Sequence, residues 1–329
     1  MPLAMVWKSV RQPTLRLWQP ACAVLFCVLL TACGTVVPTP QAPMRAEGAK
    51  ESKEGPTLTE PVVPRERRLA RIGLALGGGA ARGFAHVGVI QVLEESGLRP
   101  NLVVGTSAGS LVAALYASGK SPQELRHVAE TMEEAEITDW MMPILNRGAL
   151  RGEALARYVN TQVGGKNIEQ MKIPLGIVAT DLKSGNAVTF RLGNTGSAVR
   201  ASSAVPAVFQ PVRIGEREYV DGGLVAPVPV HQAREMGANF VIAVDISSDP
   251  EGNPSGDTFQ ILLQTFTIMG KSINTLALKE AEFVVRPPLT GFKSADFTVR
   301  RRSIEAGRAA MQAQLPQLRA RIAAFESGQ

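Results

Sequence analysis

From Ile72 onward, short apolar runs alternate with longer amphipathic ones, the pattern of buried strands separated by helices. Ile72 to Leu76 reads as a buried strand, followed by a glycine cluster and a helix from about Ala81 to Ser96, with Gly97 where a C-terminal glycine cap belongs. Leu102 to Val104 is a second strand; after the Gly105 to Gly109 turn comes an apolar helix ending at Ser118-Gly119. Ser121-Pro122-Gln123-Glu124 then has the spacing of a capping box with proline in the first turn. Farther on, Leu175 to Thr180 and Ala187 to Arg191 flank the turn residues Lys183 to Asn186, and Val212 to Val220 suggests a hairpin. A short helix from His231 to Met236, a strand from Phe240 to Val244, a long amphipathic helix from Phe259 to Glu280 and a strand from Phe283 to Val285 follow. Ser303 to Phe325 closes the chain as a helix whose apolar residues Ile304, Met311, Leu315, Leu318, Ile322 and Phe325 share one face, with a kink expected at Pro316. The alternation predicts an α/β layered domain.

The first 70 residues follow a different pattern. Residues 1–20 carry Lys8, Arg11 and Arg16 and no acid, and Ala21 to Leu30 is apolar but too short to span a bilayer, which together describe a signal peptide. It ends in Leu30-Thr31-Ala32-Cys33-Gly34, which resembles the lipobox of bacterial lipoproteins. Cleavage before Cys33 removes Cys22 and Cys27, leaving Cys33 as the single cysteine, with no disulfide possible. The expected organisation is a signal peptide over 1–32, a tether over 33–70 and one folded domain over 71–329. Pro, Glu, Lys and Thr dominate the tether, a composition that cannot bury a core. An acylated Cys33 would hold the protein on a membrane of the bacterial cell envelope. Gly34 offers no inner-membrane retention signal, which points to the periplasmic face of the outer membrane.

The chain of 329 residues has a formal charge of +6, which raises nucleic acid or anionic membrane as partners. Loss of Lys8, Arg11 and Arg16 with the signal peptide takes 35 basic residues to 32 against 29 acidic ones, so nucleic-acid binding loses its main support. Nothing in the sequence bears on oligomeric state.

Three motifs carry candidate chemistry. Gly105-Thr106-Ser107-Ala108-Gly109 has the GxSxG spacing of a nucleophile elbow and falls between a predicted strand and a predicted helix. The flanking glycines let strand and helix approach, and the helix N-terminus favours a developing oxyanion. Gly77-Gly78-Gly79-Ala80-Ala81-Arg82-Gly83 is a second strand-to-helix loop, whose N–H groups suit a phosphate or an oxyanion. A dinucleotide site would need an acid at the end of the next strand, whereas Glu94 and Glu95 end the helix; a P-loop would need Lys followed by Ser or Thr. The third motif is Tyr219-Val220-Asp221-Gly222-Gly223, in isolation an ordinary turn. No metal-ligand spacing is present, and no cofactor is called for.

Taken in this order, with the stretch Arg200 to Phe209 before the aspartate, the motifs resemble those of the bacterial patatin-like phospholipases from about Arg71 to Met236. The resemblance implies a central, mostly parallel sheet with helices on both faces. It also implies a Ser-Asp dyad of Ser107 and Asp221 without histidine, and a lipid acyl ester as substrate. Donors near Gly78, Gly79 and Ala80 would bind the oxyanion. Arg82 would anchor the loop or meet a lipid phosphate, with a surface position as the alternative. The glycine loop is one residue longer than the shortest family form, and Ala226 stands where Asn or Asp often follows the turn. A Ser107-Asp221-His231 triad is the rival, since that order matches the α/β-hydrolases. His231 lies only ten residues past Asp221 at the start of a helix, which makes its reach to the serine difficult. His86 and His127 fall within predicted helices as structural or surface residues. A non-catalytic lipid-binding or assembly lipoprotein with the same fold is the alternative function. Trp140 to Leu145 would serve as a lid or pack in the core, and Arg300 to Arg302 would contact anionic lipid or face solvent.

Overall fold

The computed structural model describes residues 68–137, 139, 148–251, 253, 255–292 and 296–328. Residues 1–67, which include the expected signal peptide, Cys33 and most of the expected tether, and Trp140 to Leu145 lie outside the described residues.

Five strands form the parallel part of the main sheet: β1 (Ile72–Leu76), β2 (Leu102–Thr106), β4 (Leu175–Asp181), β9 (Phe240–Val244) and β10 (Phe283–Val285). Their spatial order is β10, β9, β1, β2, β4. Three antiparallel strands complete it, with β5 (Ala187–Phe190) and β8 (Arg217–Asp221) both paired to β4, and β7 (Val212–Ile214) paired to β8. β3 (Gly148–Leu150) and β6 (Ala207–Phe209) make a separate two-stranded parallel sheet.

The near-continuous apolar runs of β1, β2 and β9 follow from burial on both faces. Leu74, Leu76, Val103, Ile242 and Val244 pack into one core with α1 (Phe84–Glu95), α2 (Ala108–Ala117), α3 (Pro122–Thr131), α5 (Glu153–Gln162) and α9 (Arg300–Ser327). The alternate residues Ala75, Val104, Val241 and Ala243 pack into a second core with α7 (Val230–Glu235) on the opposite face. A third cluster gathers Ala201 of α6 (Thr195–Ser202) with Val212 and Tyr219. Two further helices are α4 (Glu134–Ile137) and α8 (Thr258–Ala277).

α9 buries Ile304, Met311 and Leu318 completely, and Leu315, Ile322 and Phe325 pack against the same core. It continues through Pro316 as one helix. Its backbone meets that of α1 directly: a Cβ on Gly307 would lie 1.9 Å from the Ala85 oxygen, and one on Gly88 2.0 Å from the Ile304 oxygen. Only glycine permits this approach. Arg300 donates to the Glu130 and Met132 carbonyls, Arg301 pairs with Glu130 at 3.8 Å, and Arg302 lies 4.9 Å above the Phe292 ring, so all three consecutive arginines are engaged by the domain itself.

β1 and β2 are parallel neighbours, with Leu76 opposite Gly105. The glycine loop and the serine elbow, which follow these two strands, therefore emerge side by side at the carboxyl edge of the sheet, where open α/β sheets place their ligand sites.

Candidate active site

Ser107 stands between β2 and α2 at φ 53° and ψ −123°. Such a backbone costs a non-glycine residue about 1–3 kcal/mol and persists only where its surroundings hold it. Here the surroundings are identifiable. The Ser107 N–H donates to Ser202 Oγ at 2.8 Å, and Ser202 in turn donates to the Val178 carbonyl. Ser110 Oγ donates to the Ser107 carbonyl at 2.6 Å. Gly105 and Gly109 supply the room, since a Cβ on the first would lie 2.3 Å from the Gly109 oxygen and on the second 2.2 Å from the Leu76 oxygen. Ser202 is fully buried at the end of α6; sequence reasoning singled out its segment but gave this residue no task.

Asp221 ends β8, opposite Ala179 of β4. Its backbone is held on both sides: the N–H donates to the Ala204 carbonyl at 2.9 Å, and Thr180 Oγ1 donates to its carbonyl at 2.8 Å. Gly222 allows the following turn to press against β4, because a Cβ there would lie 2.2 Å from the Val178 oxygen. The side chain is thereby aimed. Ser107 Oγ donates to Asp221 Oδ2 at 2.7 Å, and the Gly223 N–H donates to Oδ1 at 2.7 Å. Desolvation pushes the Asp221 carboxyl up to about 6, against the lowering effect of those two hydrogen bonds.

The glycine loop corrects one expectation. The Gly78 N–H is committed to the Pro227 carbonyl at 2.9 Å, and the Gly77 N–H to the Val244 carbonyl at 3.0 Å, so neither is free to bind an oxyanion. Among the described residues the N–H groups of Gly79 and Ala80 have no partner. Ala80 adopts φ 49° and opens a short 3-10 turn, Ala80–Gly83, so the predicted helix begins regular α geometry only at Phe84. A Cβ on Gly78 would lie 3.2 Å from Ser107 Cβ, which places the loop against the serine.

Two buried basic side chains, His86 and Arg82, belong to this region. His86 is fully buried and its Nε2 donates to the Gly77 carbonyl at 2.8 Å, while burial lowers its pKa to about 4 and keeps the ring neutral. Arg82 is only 6% exposed, which overturns the surface alternative; desolvation lowers its pKa and Asp245 opposes that shift. The rival triad also fails. His231 is exposed on α7 and pairs with Glu235 at 3.2 Å on the same helix, and His127 is exposed on α3. Ala226 contributes through its backbone, its carbonyl accepting from Thr106 Oγ1 at 2.8 Å.

Residues 74–234 match the family model described as patatin-like phospholipase. The chain carries a domain of that family. An uncharacterized NTE family protein of Mycobacterium tuberculosis is 38% identical over 188 residues, covering 57% of this chain and 52% of that protein. Human patatin-like phospholipase domain-containing protein 6 is 30% identical over 271 residues, covering 70% of this chain and 20% of the relative. The chain thus spans about half the length of the mycobacterial relative and a fifth of the human one. Among solved structures, VipD from Legionella pneumophila aligns with a TM-score of 0.51 at 15% identity, covering 75% of this chain and 67% of that chain, a likeness of fold. The patatin-like domain runs from β1 into α7 and therefore contains the glycine loop, the elbow and Asp221; α8, β10 and α9 follow it.

Proposed function

We propose that this protein is a serine lipid acyl hydrolase of phospholipase A or lysophospholipase type, with Ser107 as nucleophile and Asp221 as its base. The observation that carries the reading is the 2.7 Å hydrogen bond from Ser107 Oγ to a carboxylate 6% exposed, with no histidine at hand. Ser107 Oγ attacks the ester carbonyl carbon while its proton passes to Asp221 Oδ2. The N–H groups of Gly79 and Ala80 receive the oxyanion, where preorganised donors are worth several kcal/mol. Asp221 then hands the proton to the departing alkoxide; in the second step it takes a proton from the water that attacks the acyl carbon and returns it to Ser107 Oγ as the fatty acid leaves. A carboxyl with an ordinary pKa is a weak base for a hydroxyl; desolvation to about 6 brings Asp221 closer to the working pH.

Relatives named patatin-like phospholipase domain-containing protein 6 and lysophospholipase NTE1, the latter from Debaryomyces hansenii at 28% identity, favour a phospholipid or lysophospholipid ester. Fatty acid release from phosphatidylcholine and lysophosphatidylcholine, followed by mass spectrometry, tests this. Because the base must be ionised, the rate should rise as pH passes about 6 and level off above it. Release from neither lipid would remove the substrate assignment.

The same reading places the mature protein on a membrane through acylated Cys33, at the periplasmic face of the outer membrane. Mass spectrometry of the protein from its native membrane should find Cys33 as a diacylglycerylated N-terminus, and Cys33→Ser should leave the signal peptide uncleaved. An unmodified chain starting at Met1 would contradict it.

A further inference from the structure

α8 turns its apolar side outward. Of nine large apolar side chains exposed among the described residues, six lie on this helix: Phe259, Ile261, Leu262, Ile268, Met269 and Leu276. Along its 20 residues only Asn274 is buried. Folding ordinarily buries such a stripe, and contiguous exposed apolar surface marks an interaction site. The helix is well formed without a partner, since Asp257 caps its N-terminus by accepting from the Gln260 N–H at 2.8 Å.

We infer that α8 is an interfacial helix that lays Phe259, Leu262, Met269 and Leu276 into the surface of the lipid aggregate carrying the substrate. The inference rests on the lipid-hydrolase reading above. Four observations favour lipid over a second protein. First, Phe259, Leu262, Met269 and Leu276 lie along one side, and Ile261 and Ile268 lie roughly 90° farther round the helix, beyond the exposed Thr265 and Ser272, so the exposed arc is wider than the two-row seam of a helix pair. Second, the positions flanking that side, Leu263, Thr265, Gly270 and Ser272, carry no charges to set the orientation of a partner helix. Third, no acidic residue occurs between Asp257 and Glu280, so no carboxylate of α8 repels anionic headgroups; Lys271 neutralises the neighbouring Asp249 at 3.2 Å, and Lys279 is exposed. Fourth, the helix packs on the segment that holds the glycine loop against the serine. Asn274 Oδ1 accepts from the Val228 N–H at 3.1 Å, and Gly270 faces the Pro227 ring. Pro227 in turn holds the Gly78 N–H, and Gly78 abuts Ser107. A helix seated in a lipid surface would thus bring the elbow to the lipid plane. α8 lies flat rather than spans, for no described helix is long and apolar enough to cross a membrane.

Hydrogen exchange of the full chain, with and without vesicles of phosphatidylcholine and phosphatidylglycerol, reads docking independently of hydrolysis. Amides of 258–277 should slow severalfold on adding vesicles while those of α9 stay unchanged. In parallel, Leu262→Glu combined with Met269→Glu should lower hydrolysis of vesicle lipid tenfold or more and leave a water-soluble short-chain ester unaffected. Unchanged exchange in α8 on vesicles would overturn the inference. So would protection that is already present without vesicles, deepens with protein concentration and accompanies a dimer in light scattering, because the occupant would then be a second copy. Wild-type protein inactive on every ester, yet protected at α8 by vesicles, would uphold the docking and remove the hydrolase reading instead.

Discussion

Ser107→Ala and Asp221→Asn should each lower ester hydrolysis by about a thousandfold or more, and the double variant should be little worse than either alone, because the two groups act as a unit. His231→Ala should keep most activity, its imidazole being paired with Glu235 in solvent. The two inactive variants should differ in stability, which separates loss of chemistry from loss of fold. Asp221 has its folded pKa raised from 3.8 to about 6 by burial, so between those values the native state holds a proton that the unfolded chain has released. Stability is therefore full below about pH 4 and falls as pH rises through 6, by up to about 3 kcal/mol. Asparagine keeps an acceptor for the Gly223 N–H without the buried charge. Asp221→Asn should thus be more stable than wild type at pH 8, by about 1–2 kcal/mol, and not at pH 4. Thermal unfolding at the two pH values measures it; an Asn variant that gains nothing at pH 8 would show that the carboxylate is not strained by burial.

The second large effect belongs to Gly109. Helix propensity favours alanine over glycine by about 1 kcal/mol in the interior of a helix. At Gly109 that gain is outweighed, because the new Cβ would lie 2.2 Å from the Leu76 oxygen and 2.6 Å from the Gly77 oxygen, both backbone atoms of the strand and loop that frame the serine. Overpacking against side chains costs about 1–3 kcal/mol, and backbone yields less readily. Gly109→Ala should therefore lose about 3 kcal/mol or more and most of its activity. Gly270 is the internal control: its Cβ would meet the Pro227 ring at an ordinary 3.6 Å, so Gly270→Ala should gain up to about 1 kcal/mol. Denaturant unfolding of the pair decides it, and equal stabilities would show that the elbow relaxes to admit a methyl group.

The strands most legible in the sequence were those buried on both faces, because a short apolar run between turn residues admits few readings. β1, β9 and β10 fall where the pattern places them. β2 extends two residues beyond its apolar run, since Gly105 and Thr106 still pair with Leu76 and Val178 before the chain turns. α5 gave no local signal at its start, for its cap is Asp139, whose carboxylate accepts from the N–H groups of Gly152, Glu153 and Ala154 from 13 to 15 residues away. The small β3–β6 sheet depends on pairing between Gly148 and Ala207, again invisible to local periodicity.

For the site, the chemistry-bearing residues were visible as motifs, whereas their supports were not. Ser202, Thr180 and Pro227 act through hydrogen bonds across the fold, and local sequence does not assign those bonds. The Gly78 donor was misassigned for the same reason. Its partner, the Pro227 carbonyl, is far away in the chain. α8 shows the converse limit, in that periodicity reveals an apolar stripe but not whether the domain covers it.

The most direct test of the central claim is covalent labelling with a fluorophosphonate probe, which reports an activated serine whatever the natural substrate. Peptide mass spectrometry of the labelled wild-type protein should place the adduct on Ser107 Oγ, with labelling absent in Ser107→Ala and strongly slowed in Asp221→Asn. A folded wild-type protein that stays unlabelled, or an adduct on another serine, would contradict the account and favour a lipid-binding module that keeps the fold without the reaction.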